Sequence, residues 1–153
     1  MTSDREPRQM PDVNTLIAAA WPNHVHHVQA RRWLETETQS GWATCPIVQS
    51  GFLRISMNAA VVGQATTFAT ALALLERYTS DRAHTFWESE PSPSVWPEWL
   101  KQRVQGYRQV TDAICLATAL HNGGTLVTLD GGLLALLPEA YRARVRVIVP
   151  EVR

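Results

Sequence analysis

Three aspartates carry the chemistry that the chain advertises: Asp12, Asp112 and Asp130. Each stands where a strand is expected to end or where a helix is expected to open beside a strand. Read singly, each has a plain structural role. Asp12 can cap the helix that follows it, Asp112 can complement a helix dipole, and Asp130 can open a glycine turn. Read together they say more. Three carboxylates gathered at one end of a parallel sheet repel one another unless a cation joins them. Hard divalent ions such as Mg²⁺ and Mn²⁺ prefer oxygen ligands, and Mg²⁺ keeps several of its waters. Such an ion polarises a phosphate oxygen and lowers the pKa of bound water, which is the chemistry of phosphodiester hydrolysis. Asn14 and Thr128 lie close in sequence to two of the acids, where they can hydrogen-bond a carboxylate or a metal-bound water.

The stretch that must position two of these acids is TDAICLATALHNGGTLVTLD, Thr111 to Asp130. Thr111 reads as an N-cap, with Asp112 in the first helical turn. Ile114 to Leu120 is apolar nearly all round, as in a buried helix. Asn122-Gly123-Gly124 stops it, and Thr125 to Leu129 reads as a buried strand. One chain reversal then brings Asp112 and Asp130 to the same end of a sheet, the end at which open α/β sheets bind ligands.

Earlier in the chain, residues 1–9 read as a flexible leader and 10–153 as a single domain. Met10 to Asn14 is the end of a first strand. Helices follow over Thr15–Trp21 and from about His24 to Glu37. Trp42 to Ile47 reads as a second strand and Val48 to Met57 as a helix. Asn58 to Gln64 reads as a loop, and Thr67 to Tyr78 as an amphipathic helix. His84–Trp87 is a short strand, Glu88–Pro97 a surface connection, and Trp96–Val104 a short helix. A helical segment near Leu133–Leu137 and a strand over Arg144–Val149 close the chain. Strands alternating with helices imply a mostly parallel sheet covered on both faces.

Composition sets limits. Apolar residues are 45% and charged residues 18%, ordinary for a globular domain, and 153 residues suffice for a substantial core. The formal net charge is zero, so overall charge does not argue for nucleic-acid binding and any basic surface must be local. Cys45, in an expected strand, and Cys115, in the central helix, read as buried hydrophobes of a reducing compartment. No signal peptide or membrane span is visible, which makes the cytoplasm the expected location. The histidines of the His24-Val25-His26-His27 stretch lack a third ligand at zinc spacing. Trp21, Trp33 and Trp99 read as packing residues.

The blocks PDVN, SGFLRI, TDA and TLD, in this order between about Met10 and Pro150, resemble the PIN-domain family, and within it the VapC-type toxins of bacterial toxin–antitoxin pairs. That resemblance implies a three-layer α/β/α fold around a central, mostly parallel sheet. It implies a Mg²⁺- or Mn²⁺-dependent endoribonuclease, a homodimer, and a cognate VapB-type antitoxin that covers the active site. The family's first, third and fourth acids fall on Asp12, Asp112 and Asp130. Its second acid falls on Gln49, which offers a carbonyl oxygen and an amide donor but no charge. Relatives with the SGFLR block often lack an acid there, and an engineered Glu→Gln would read the same. The implied catalytic set is Asp12, Asp112, Asp130 and Gln49, with metal held by the three aspartates. Arg54, in SGFLR, is a candidate contact to RNA phosphate or an antitoxin carboxylate, or a structural ion pair. The rival reading is a weakened or inactive PIN domain that binds RNA or a protein without cutting. A receiver-like or flavodoxin-like domain would need a phosphate-binding loop or phospho-acceptor set, and neither is found.

Overall fold

The computed structural model describes residues 6–148. Five short strands form one all-parallel sheet: β1 (Gln9–Pro11), β2 (Trp42–Thr44), β3 (His84–Phe86), β4 (Thr125–Thr128) and β5 (Val145–Val147). Their order is β3-β2-β1-β4-β5. Parallel strands need crossovers, and helices supply them. α1 (Val13–Ala20) and α2 (His27–Thr36) link β1 to β2. α3 (Pro46–Ser56), α4 (Ala59–Val62) and α5 (Phe68–Thr79) link β2 to β3. α6 (Glu98–Arg103) and α7 (Val110–His121) link β3 to β4. Helices cover both faces of the sheet, so β1, β2 and β4 are apolar throughout their inner lengths, with Met10, Ala43, Leu126 and Val127 fully buried. The fold is the expected three-layer α/β/α arrangement.

Chain direction explains where a site must form. β1, β2 and β3 step outward on one side, and the chain then returns to lay β4 on the other side of β1. The order of connection therefore reverses between β1 and β4, which opens a crevice beyond their carboxyl ends. Register is fixed there, with Met10 opposite Leu126 and Pro11 opposite Val127. Pro11 has no N–H, but it ends its strand, and the Asp12 N–H donates to Val127 O at 2.9 Å in its place.

Two glycines are needed by the packing. Gly51, the glycine of SGFLR, is buried on α3, and a Cβ there would come within 2.6 Å of Val13 Cγ2 on α1. Gly123 ends α7 at φ +69°, and Gly124 N–H then donates to Ala119 O at 2.8 Å, closing the helix end.

Several boundaries differ from the sequence reading. The leader was expected to run to residue 9, but Gln9 belongs to β1; residues 1–5 lie outside the described residues, as does Val149 at the end of the last expected strand. Thr111 is not the cap of α7. A 3-10 turn, Tyr107–Gln109, runs into the helix, and Gln109 is the capping position. β2 stops at Thr44, so Cys45 is the cap of α3 rather than a strand residue. The expected loop over 58–64 holds α4, which Asn58 caps by accepting from Ala60 N–H. The second helix begins at His27, because Pro22 and Asn23 hold the chain in turns after α1. Both cysteines are free and buried, as expected.

Candidate active site

Asp12 serves two masters. As the cap of α1, its Oδ1 accepts from Thr15 N–H at 2.9 Å. Its Oδ2 accepts from the Thr128 hydroxyl, at the end of β4, at 2.7 Å. That hydroxyl in turn accepts from Asp130 N–H at 3.0 Å. The β1 and β4 ends are thus tied through one threonine, and Thr128 stands where the sequence suggested. Asp12 is 6% exposed. Burial raises its pKa, the bonds from Thr128 and Thr15 pull it back, and the charge of Asp130 raises it again.

Asp112 stands in the first turn of α7, half-buried. Its pKa is pushed up to about 6, first by burial and then by the charges of Asp12 and Asp130. Asp130 is exposed, caps the 3-10 segment Gly131–Leu136, and accepts from Gly132 N–H through Oδ1 at 2.8 Å. The fold therefore brings the three aspartates into one electrostatic neighbourhood at the β1/β4 crevice. Among the described residues no ion pair involves Asp12, Asp112 or Asp130; Arg31–Glu35, Lys101–Glu98 and Arg146–Glu37 all lie elsewhere.

The three acids offer hard oxygen donors, and among the described residues none of them forms an ion pair. That composition fits a hard divalent cation. The acids do not form a ready-made cage: among the described residues, no three Asp, Glu, His or Cys side chains are grouped closely enough to hold one ion. A cation here would use one or two carboxylates and complete its shell with water or substrate oxygens, as Mg²⁺ commonly does.

Gln49 lies on α3 just past β2, on the same carboxyl edge and half-buried. Its Nε2 donates to Thr44 Oγ1 at 2.9 Å, and Thr44 Oγ1 lies 2.8 Å from His84 Nε2. Arg54 is on the last turn of α3, five residues and about 7.5 Å farther along the axis. It is exposed and makes no ion pair among the described residues. It lies about one and a half helical turns past Gln49. Asn14 is bonded to a histidine and not to an acid. Its side chain is exposed and pairs with His24 Nε2 at 3.1 Å, while Thr15, one residue on, makes the contact to Asp12. A helix turns 100° per residue, and that rotation carries Asn14 off the acidic face.

His27 is spent on Ala18 O at 2.7 Å, so the histidine stretch is a structural corner. Sequence reasoning missed Glu90, whose Oε1 accepts from Ile47 N–H at 2.9 Å and so caps α3, since Cys45 makes no capping bond of its own. It also missed Thr44 and His84. Local sequence signals none of the three, because their partners are brought together by the sheet.

Comparison with known proteins agrees with this geometry. The PIN domain family model matches residues 10–136. The chain is 45% identical over 122 residues to ribonuclease VapC39 of Mycobacterium tuberculosis, covering 80% of this chain and 88% of that protein. It is 36% identical over 137 residues to ribonuclease VapC38 of the same organism, covering 90% and 95%. Ribonuclease VapC44, also from Mycobacterium tuberculosis, is 35% identical over 136 residues, covering 88% and 95%. No helix among the described residues is long and apolar enough to cross a membrane. With the fold, the acidic crevice and these relatives agreeing, the chain belongs to the PIN-domain family and is of the VapC type.

Proposed function

We propose that the protein is a metal-dependent endoribonuclease, the toxin of a bacterial toxin–antitoxin pair, acting on RNA phosphodiesters in the cytoplasm. The observation that carries this reading is the gathering of Asp12, Asp112 and Asp130 at the topological switch point, close enough for their charges to raise the pKa of Asp12 and Asp112. Relatives named ribonucleases, similar over nearly their whole length, support the substrate class.

Of Asp12, Asp112 and Asp130, one or two would bind the ion, Mg²⁺ or Mn²⁺, directly, and the remainder would act through its water shell. When bound, it would polarise a phosphate oxygen and acidify water. The chain's own part is positional. Thr15 and Thr128 fix both oxygens of Asp12, so the carboxylate does not rotate. Thr128 also holds the backbone of Asp130. Asp112, at the helix N-terminus, is the acid whose protonation state changes near neutrality. Gln49 orients water or the ion with its carbonyl oxygen. By the same resemblance the partners are a VapB-type antitoxin and a second copy of this chain, with Arg54 as a contact to RNA or antitoxin outside the acidic centre.

Gln49 favours one second reading, a weakened or inactive PIN domain that binds RNA or a protein without cutting. The test is the double variant Asp12→Asn with Asp130→Asn, followed by calorimetric Mn²⁺ binding and by RNA cleavage. Loss of both is expected. Unchanged binding and cleavage would overturn the assignment. Metal binding without cleavage in the parent protein, with cleavage appearing on Gln49→Glu, would establish the second reading.

A further inference from the structure

A partly buried polar chain lies past the carboxyl end of β2 and, among the described residues, hydrogen-bonds none of the three aspartates. It runs from Gln49 Nε2 to Thr44 Oγ1 at 2.9 Å and on to His84 Nε2 at 2.8 Å. Thr44 is fully buried at the end of β2, and His84 is half-buried at the start of β3. The His84 ring also hydrogen-bonds the Thr79 backbone. Trp42 packs edge-on to it at 4.7 Å, and Asp81 is the charged group that faces it.

Proton counting gives this chain a direction. Burial holds the His84 pKa below its usual value and favours the neutral ring, against the opposing pulls of Thr79 and Asp81. A neutral imidazole has one donor and one acceptor nitrogen. The nitrogen facing the Thr79 carbonyl donates, so Nε2 accepts. Thr44 has a single hydroxyl proton, and it goes to His84. The Thr44 oxygen is then left to accept, and Gln49 must present its NH₂ group to it. The amide is asymmetric, so with Nε2 on Thr44 its carbonyl Oε1 is directed away from that hydroxyl. No described residue donates to that oxygen.

We propose that Thr44 and His84 are positioning residues that lock the Gln49 carboxamide with its carbonyl oxygen turned outward, giving the active site a fixed neutral oxygen in place of a charge. The inference rests on the nuclease reading and deepens it. Its distinguishing consequence is that the lock matters for an amide and not for a carboxylate. A glutamate at position 49 has two equivalent oxygens, and either end offers the site the same group.

The test is a cycle of four proteins: the parent, Thr44→Val, Gln49→Glu, and the two combined, with Thr44→Ser as the conservative control. Cleavage of single-stranded RNA gives kcat and KM, and NMR exchange of the Gln49 side-chain amide protons reads the lock directly. Thr44→Val is expected to lower kcat about tenfold, the low end of the effect of removing an orienting partner. It should also expose the amide protons to exchange. Thr44→Ser should restore both. In the Gln49→Glu background Thr44→Val should change kcat less than about twofold. Equal losses in both backgrounds, with matching falls in Tm, would mean that Thr44 only supports the fold and would overturn the proposal. So would an unchanged Thr44→Val protein. If the parent neither cuts RNA nor binds Mn²⁺, the nuclease reading fails and the catalytic role with it, while fast amide exchange in a cutting parent removes the lock alone.

Discussion

The carboxyl edge of the sheet has two halves built on opposite principles. Over β1 and β4 the groups are charged: the carboxylate of Asp130 raises the proton affinity of Asp12 and Asp112, Asp12 raises that of Asp112 further, and among the described residues none of the three forms an ion pair. Past β2 the groups are neutral: Gln49 and Thr44 stand at this edge, and their hydrogen-bond chain runs back to His84 at the start of β3. The charged half stores unfavourable energy that a cation would relieve. The neutral half stores none, and offers orientation instead. Catalytic power should therefore fall steeply with changes on the first half and gently with changes on the second.

The largest expected effect is from Asp12→Asn. It keeps the side chain's size and its bond from Thr15, and removes one charge from the crevice. RNA cleavage should fall by more than about 100-fold, beyond the ten- to hundredfold range of outer-shell losses. A protein that still cuts at the parent rate would erase the distinction between the halves. Thr128→Val comes next. It leaves a buried Asp12 oxygen without its donor, and cleavage should fall about ten- to hundredfold. Stability should drop by about 1–3 kcal/mol as the carboxylate loses its partner, read by urea unfolding.

The third expectation concerns pH. Asp112 has its folded pKa raised from 3.8 to about 6, so the folded state binds this proton more tightly than the unfolded chain does. Its contribution to the metal-free fold is most favourable below pH 4 and is lost as pH rises through about 6. The metal-free protein should thus gain from this group in Tm on acidification from pH 7 to pH 5, and Asp112→Asn should flatten that trend. Mn²⁺ added at pH 7 should raise Tm, and its affinity should weaken as pH falls through about 6. The smallest effect is expected at the start of α3, from Glu90→Ala. It removes a cap from α3 and should cost about 1 kcal/mol, with cleavage kept within about twofold.

The halves also differ in how far the sequence revealed them. The charged half was legible because its parts are local patterns: an acid before a helix at Asp12, an acid in the first turn at Asp112, and an acid before two glycines at Asp130. Alternating strands and helices then required a parallel sheet, which forces all strand ends to one edge. Asn14 bonds His24 while Thr15 bonds Asp12, because closeness in sequence is not closeness on a helix, where the next residue points elsewhere. Thr111 misled because the preceding turn continues into the helix, with Gln109 Oε1 accepting from Gln105 N–H at 2.7 Å. The neutral half was illegible beyond Gln49. Thr44 and His84 are 40 residues apart and meet only because β2 pairs with β3. Glu90 reaches α3 from a proline-rich connection that carries no signal of a contact.

The most direct measurement is cleavage of total bacterial RNA by the purified protein with Mg²⁺, with Mn²⁺ and with EDTA, beside Asp112→Asn. Discrete cuts that need the metal, stop with EDTA and vanish in Asp112→Asn are the predicted result. Cutting that survives EDTA or the substitution, or no cutting by a folded protein under any of these conditions, would contradict the account.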